Sequence, residues 1–99
     1  MKVNITSVHF KADKKLEDYI NEKVEKLSGI YEGLLVSEVT LKVDKNEKEG
    51  NKVAEIRLVI PGSDLFAKKQ SKSFEQSTDT AVEALRKQLV KHKEKVKGL

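Results

Sequence analysis

Between residues 86 and 99 the chain sets six basic side chains, Arg86, Lys87, Lys91, Lys93, Lys95 and Lys97, against one acid, Glu94. A cluster of this kind is suited to electrostatic chemistry: it can capture a polyanion and release its counterions. The spacing sharpens the point. On a helical wheel phased on Leu85, Arg86, Lys93 and Lys97 gather about 100° round from the apolar stripe. Lys87, Lys91 and Lys95 take the other flank, four residues apart, with about 6 Å of rise between successive members. The acids Glu83 and Glu94 fall at the back, opposite the core. A helix lying on a sheet would then carry a basic row along each side, which suits the tracking of a phosphate backbone. Lysines in a last turn also complement the helix dipole and aid solubility, but two or three suffice for that.

The rest of the sequence is close to charge balance. Residues 1–50 hold 9 Lys and 10 Asp plus Glu, while residues 51–99 hold 11 Lys plus Arg and 6 acids, so the net charge of +4 comes from the second half. One further cation stands out. Lys23 falls within the apolar stripe of the first predicted helix, between Tyr19 and Leu27, with Lys26 beside it. It either snorkels, covering the core with its methylenes, or faces a basic row across a groove between two side-by-side helices and binds phosphate there. Both readings stand at this level.

Other chemistries are poorly supplied. With no cysteine in the chain, disulfides and thiolate metal sites are excluded. His9 and His92 fall on different elements, so a metal cluster lacks support. His92 lies on the apolar stripe of the last helix, where a half-buried helix-end role is the ordinary one. The five glycines are dispersed and form no phosphate-cradling loop, and no serine has the flanks of a nucleophile elbow. Catalysis, a cofactor and a small-molecule substrate are therefore not expected. Phe10, Tyr19, Tyr31, Phe66 and Phe74 supply no aromatic pair on one strand for base stacking; Phe66 and Phe74 are assigned to the core. No segment approaches the roughly 18 apolar residues of a membrane span, and the start lacks the apolar run of a signal peptide. A cytoplasmic protein with no membrane partner is expected.

Periodicity supplies the elements that must position the cations. Val3 and Ile5 alternate with polar neighbours over residues 2–9, a short strand. Asp13 can cap a helix to about Leu27 carrying Leu16, Ile20 and Val24 at helical spacing, and Ser28-Gly29 ends it with a left-handed glycine cap. Val39, Leu41 and Val43 predict a second strand. Residues 45–51 form a hairpin loop around Gly50, and Ala54, Ile56, Leu58 and Ile60 line a third strand. Pro61-Gly62 is a turn, and a fourth strand spans residues 65–71. The last helix begins after Ser73, which with Gln76 makes a capping box. Phe74, Thr78, Ala81, Leu85, Leu89, His92 and Val96 share its apolar stripe. The order is β-α-β-β-β-α, one domain over residues 1–99, in which two amphipathic helices cover one face of a sheet.

The segment Leu85-Arg86-Lys87-Gln88-Leu89-Val90-Lys91-His92-Lys93-Glu94-Lys95-Val96-Lys97 resembles the closing helix of the bacterial ribosome hibernation promoting factors. That family also includes the ribosome-associated inhibitor protein. Asn4-Ile5-Thr6, Lys23-Val24-Glu25-Lys26-Leu27 ahead of Tyr31, Val39-Thr40-Leu41-Lys42-Val43-Asp44-Lys45, and Asp79 match as well, in order, over nearly the whole chain. The resemblance implies an α+β fold, a four-stranded sheet with two helices packed on one face, like a double-stranded RNA-binding domain with an added strand. It also implies binding to the ribosomal small subunit through its rRNA, in the mRNA channel across the A and P sites. Bound there, the protein would exclude tRNA and mRNA, inhibit translation and hold idle ribosomes in hibernation under stress or in stationary phase. The implied rRNA contacts are Lys23, Lys26, Arg86, Lys87, Lys91, His92 and Lys95; Lys93 and Lys97 join them from the wheel.

The chain departs from the pattern at Glu75-Gln76-Ser77-Thr78-Asp79, where the family commonly has an aromatic followed by Ala-Ile-Asp. Phe74 is one position early, and Thr78 takes an apolar core position. Closing at Leu99, the sequence matches the short members, without the C-terminal dimerisation domain of the long ones. Any role in pairing ribosomes would then call on a second hibernation factor. Two rivals remain. One is a free double-stranded RNA binder, against which residues 78–85 contain no lysine. The other is a protein-interaction module, not specific to ribosomes, whose lysines meet an acidic partner.

Overall fold

Alternating apolar residues draw four strands into one sheet, in which they lie side by side in chain order. The computed structural model describes residues 1–97, with side chains through Lys95; the expectations for the Val96 and Lys97 side chains lie outside the described residues. β1 (Lys2–Ser7) pairs in parallel with β2 (Val36–Val43), and β2, β3 (Lys52–Ile60) and β4 (Ser63–Ser71) form an antiparallel meander. A parallel pair needs a crossover, and α1 (Lys14–Glu25) supplies it. The order is β-α-β-β-β-α, closed by α2 (Phe74–Lys97). Among the described residues no helix is long and apolar enough to cross a membrane.

One face of the sheet is covered. Val39 and Leu41 of β2, Ala54, Ile56, Leu58 and Ile60 of β3, and Ala67 of β4 are buried there. Ile20 and Val24 of α1, Leu27 just beyond it, and Ala81, Leu85 and Leu89 of α2 are buried with them in one core. The expected stripe of α2 is thus the buried one, and Leu89 is its last fully buried residue among those described. α2 has 24 residues, a length of about 36 Å at helical rise.

Four local expectations change. α1 stops at Glu25, and Leu27 sits in a 3-10 turn (Lys26–Gly29) where the Ser28 hydroxyl donates to the Glu25 carbonyl at 2.7 Å. That tightening satisfies the helix-end carbonyls, so Gly29 is not left-handed; Gly50 and Gly62 are the described glycines with positive φ. β1 ends at Ser7, and His9 beyond it takes a left-handed φ of 63° in the turn toward α1. Val43 is exposed at the end of β2, where the hairpin loop begins. Phe66, assigned to the core, is 51% exposed: Leu65 and Ala67 take the covered face, and strand alternation turns Phe66 to the open face beside Arg57.

Candidate nucleic-acid interface

The first turns of α2 are fixed by small polar residues. Ser73 accepts the Gln76 amide at 3.0 Å, the N-cap half of the expected box. The buried Ser77 hydroxyl donates to the Lys52 carbonyl at 2.6 Å and ties the helix to the start of β3. Farther along, the Gln88 side-chain amide donates to the Phe66 carbonyl at 3.0 Å, joining α2 to the outer edge of β4. The two bonds to β3 and β4 set the rotation of α2 about its axis, and with it the direction of the lysines it carries.

α1 and α2 pack side by side, as the groove hypothesis requires. The groove between them is lined by Lys23, Lys26, Leu27, Ile30, Asp79, Val82, Glu83 and Arg86. The residues brought together are those expected, but the charge is not. Arg86 donates from Nε to Glu83 at 3.0 Å and from Nη2 to the other carboxylate oxygen. The Arg86 hydrogen bonds hold the Glu83 carboxyl below its ordinary value, and Glu83 in turn raises Arg86. Lys23 lies 3.9 Å from Asp79 and 5.5 Å from the Tyr19 ring centroid. The Tyr19 hydroxyl donates to Asp79 at 2.8 Å, and this bond raises the Tyr19 pKa. The expected basic row on this flank is therefore partly self-neutralised: Glu83, assigned to the back of the helix, turns its carboxylate toward Arg86.

The other row differs. Lys87, Lys91 and Lys95 are exposed, and among the described residues no ion pair engages them or the half-exposed Lys93. Lys26 is likewise exposed and outside every described ion pair. His92 is half-buried with its ring edge-to-face on Tyr31, centroids 5.2 Å apart. Gly33 makes room for that tyrosine, since a Cβ there would stand 2.6 Å from the Tyr31 ring. Phe74 stacks on Phe10 at 5.0 Å, so the displaced aromatic of the last helix holds the loop after β1. Thr78 is fully buried with its hydroxyl unpartnered, as is Ser37. One lysine escaped the sequence reading. Lys69 lies on the covered face of β4, half-buried, in a cleft it shares with Lys87. Its parity with Leu65 and Ala67 was the available signal.

Fold and surface define a small α+β domain whose long closing helix carries a cationic ridge that no ion pair engages among the described residues. The chain belongs to the Ribosomal_S30AE family, described as sigma 54 modulation protein / S30EA ribosomal protein, whose profile matches residues 3–97. It is 30% identical over 99 residues to the ribosome hibernation promoting factor of Pseudomonas putida, covering 100% of this chain and 93% of that protein. The factor of the same name from Azotobacter vinelandii is 27% identical over 95 residues, covering 96% of this chain and 85% of that one. Two solved structures share the fold. The N-terminal domain of Thermus thermophilus Protein Y superposes with a TM-score of 0.81 at 22% identity, covering 93% of this chain and 99% of that one. A ribosomal subunit interface protein from Coxiella burnetii gives 0.84 at 18% identity, covering 94% and 98%.

Proposed function

We propose that this protein is a non-catalytic ribosome hibernation factor of the cytoplasm. It binds the small ribosomal subunit through rRNA phosphates in the mRNA and tRNA channel and thereby inhibits translation. The observation that carries the reading is the exposed row Lys87, Lys91 and Lys95 with no acid paired to it among the described residues. Evenly spaced ammonium groups of this kind exchange counterions for a phosphate backbone. Membership of the S30AE family, and relatives named for ribosome hibernation, support the ribosome as the source of that RNA. Lys23, Lys26, Arg86, His92, Lys93 and Lys97 are the remaining proposed contacts. Arg86 and Lys23 must loosen from Glu83 and Asp79 to take part. Action on paired ribosomes would involve a second hibernation factor.

The test is sedimentation of the protein with purified small subunits across a salt series, alongside translation in vitro. Neutralising five or six phosphates gives a log–log slope of affinity on salt of about −4 to −5. Comigration with that slope and a loss of translation are expected. Absence of comigration, or a nearly flat salt response as at a protein–protein contact, would refute the reading.

A further inference from the structure

The candidate contacts drawn from the sequence lie on α1, on α2 or in the turn that follows α1; the register adds one from the sheet. Lys69 pairs with Ala54 across the β3–β4 ladder and alternates onto the helix-covered face with Leu65 and Ala67. Lysine is a poor core residue, and among the described residues Lys69 has no ion-pair partner. Its neighbour Lys68 turns to the open face and comes within 3.9 Å of Glu55. The two lysines are adjacent in sequence and opposite in environment.

Lys69 lines a cleft between the edge strand and α2 with Asp79, Thr80, Glu83, Ala84 and Lys87. The acids of that cleft are engaged toward α1: Asp79 accepts from Tyr19 and lies near Lys23, and Glu83 accepts both Arg86 bonds. Lys87 acts on Glu83 only as a lesser Coulombic influence. The Thr80 hydroxyl donates a hydrogen bond to the Gln76 carbonyl at 2.9 Å. Beside those engaged carboxylates, the cleft offers a ligand two lysines from separate elements, Lys69 of β4 and Lys87 of α2, with the small Ala84 also in its lining. The Gln88 bond to Phe66, made by the residue next to Lys87, fixes helix to strand, so the backbone positions that carry the two lysines are held in register before anything binds, which lowers the cost of bringing them together.

We infer that Lys69 and Lys87 together form a phosphate-binding site for a phosphodiester of RNA, extending the footprint from α2 onto the edge of the sheet. The site rests on the rRNA-binding reading above and deepens it. A Lys69 that merely covered apolar surface with its stem would leave binding independent of its charge.

The experiment measures affinity of the full chain for small ribosomal subunits over about 50–200 mM salt. The proteins compared are wild type, Lys69→Gln, Lys69→Arg, Lys87→Gln, Lys68→Gln and the Lys69→Gln/Lys87→Gln pair. Neither ammonium group holds the phosphate without the other, so Lys69→Gln and Lys87→Gln should each flatten the log–log slope by about 0.7–0.9, the share of that one phosphate contact. Lys69→Arg should keep the slope, and Lys68→Gln should leave it unchanged. The double variant should lose less than the two single losses combined, because both lysines act on one phosphate. If Lys69→Gln melts early, Lys69→Met keeps the packing stem, drops the charge and gives the same comparison. An unchanged slope in Lys69→Gln beside a flattened one in Lys87→Gln overturns the cleft and leaves the helix ridge standing. Equal losses in Lys68→Gln and Lys69→Gln overturn it too, since charge rather than position would then decide. Failure of the wild type to bind subunits removes both readings.

Discussion

Changing Lys87, Lys91 and Lys95 together to Glu takes the net charge from +4 to −2 and reverses the ridge without touching the core. All three side chains are exposed and no described ion pair is lost. The structural cost is confined to helix electrostatics. Removing cations near the C-terminus of α2 costs about 0.3–1 kcal/mol where the dipole is felt. New like-charge neighbours at positions 83 and 87, and at 91 and 94, add about 0.2–0.5 kcal/mol each. The total, about 1–2 kcal/mol, is small beside the roughly 5–15 kcal/mol stability of an ordinary domain. Binding suffers far more. Each phosphate contact is worth about 0.8 of a decade in affinity at 0.1 M salt relative to 1 M, so losing three removes roughly two and a half decades before repulsion is counted. Circular dichroism should overlay the wild type, while sedimentation with small subunits and inhibition of translation both disappear. A folded triple variant that binds within about threefold of wild type, roughly the effect of a minor surface charge, would refute the reasoning, because the ridge would then contact no phosphate.

Leu89 is fully buried, so Leu89→Ala should cost about 2–5 kcal/mol by urea denaturation; a loss under about 0.5 kcal/mol, typical of a surface position, would show the stripe misphased. Thr78→Val replaces a buried, unpartnered hydroxyl with a group of the same shape and should raise stability by about 1 kcal/mol; a lowered urea midpoint would mean that the hydroxyl has a partner. Gly62→Ala should cost about 1–2 kcal/mol, because φ is +77° with nothing within 4 Å of an added Cβ, so the penalty is the left-handed backbone alone. Arg86 holds the Glu83 carboxyl below its usual 4.5. The pair's contribution is thus complete above that value and lost as pH falls through the lowered one; an NMR titration should put the Glu83 midpoint below 4.5. Glu83→Gln should free Arg86, tighten subunit binding and steepen its salt slope.

Most of the architecture was legible because burial on one face imposes period: 3.6 in α2 and 2 in β2 and β3. Pro61-Gly62 was equally plain, since its chemistry specifies a turn. Phe66 reads as a core residue in the sequence because hydrophobicity alone does not fix strand parity. Counting from Leu65 and Ala67 would have turned it outward, and the same count would have turned Lys69 inward. The end of α1 was hidden for another reason. Leu27 is buried whether the chain continues as α-helix or tightens into a 3-10 turn, so its periodicity carries no information on the change, and the choice was made by the Ser28 bond to Glu25. The identities of the groove residues were readable, whereas the turn of Glu83 toward Arg86 is a rotamer choice that a wheel does not contain.

The wheel makes the two flanks of α2 mirror images; the fold makes them chemically unlike. On the α1 side, Asp79 and Glu83 meet Lys23 and Arg86 within a few ångströms, and the Tyr19 hydroxyl is drawn in as well. Charges so arranged have their counterions built in, and a phosphate arriving there displaces a carboxylate rather than a mobile cation. It therefore gains little from counterion release. On the β4 side, Lys87 and Lys69 share a cleft whose acids are committed elsewhere, and Lys91 and Lys95 continue the row past Leu89, the last fully buried residue of the helix among those described. A phosphate there would displace mobile cations and gain more from their release. The polyanion should accordingly be held by the β4 side of α2, with the groove between the helices contributing shape and fit. A lysine on the covered face of an edge strand, wasteful in a core, is then in the right position.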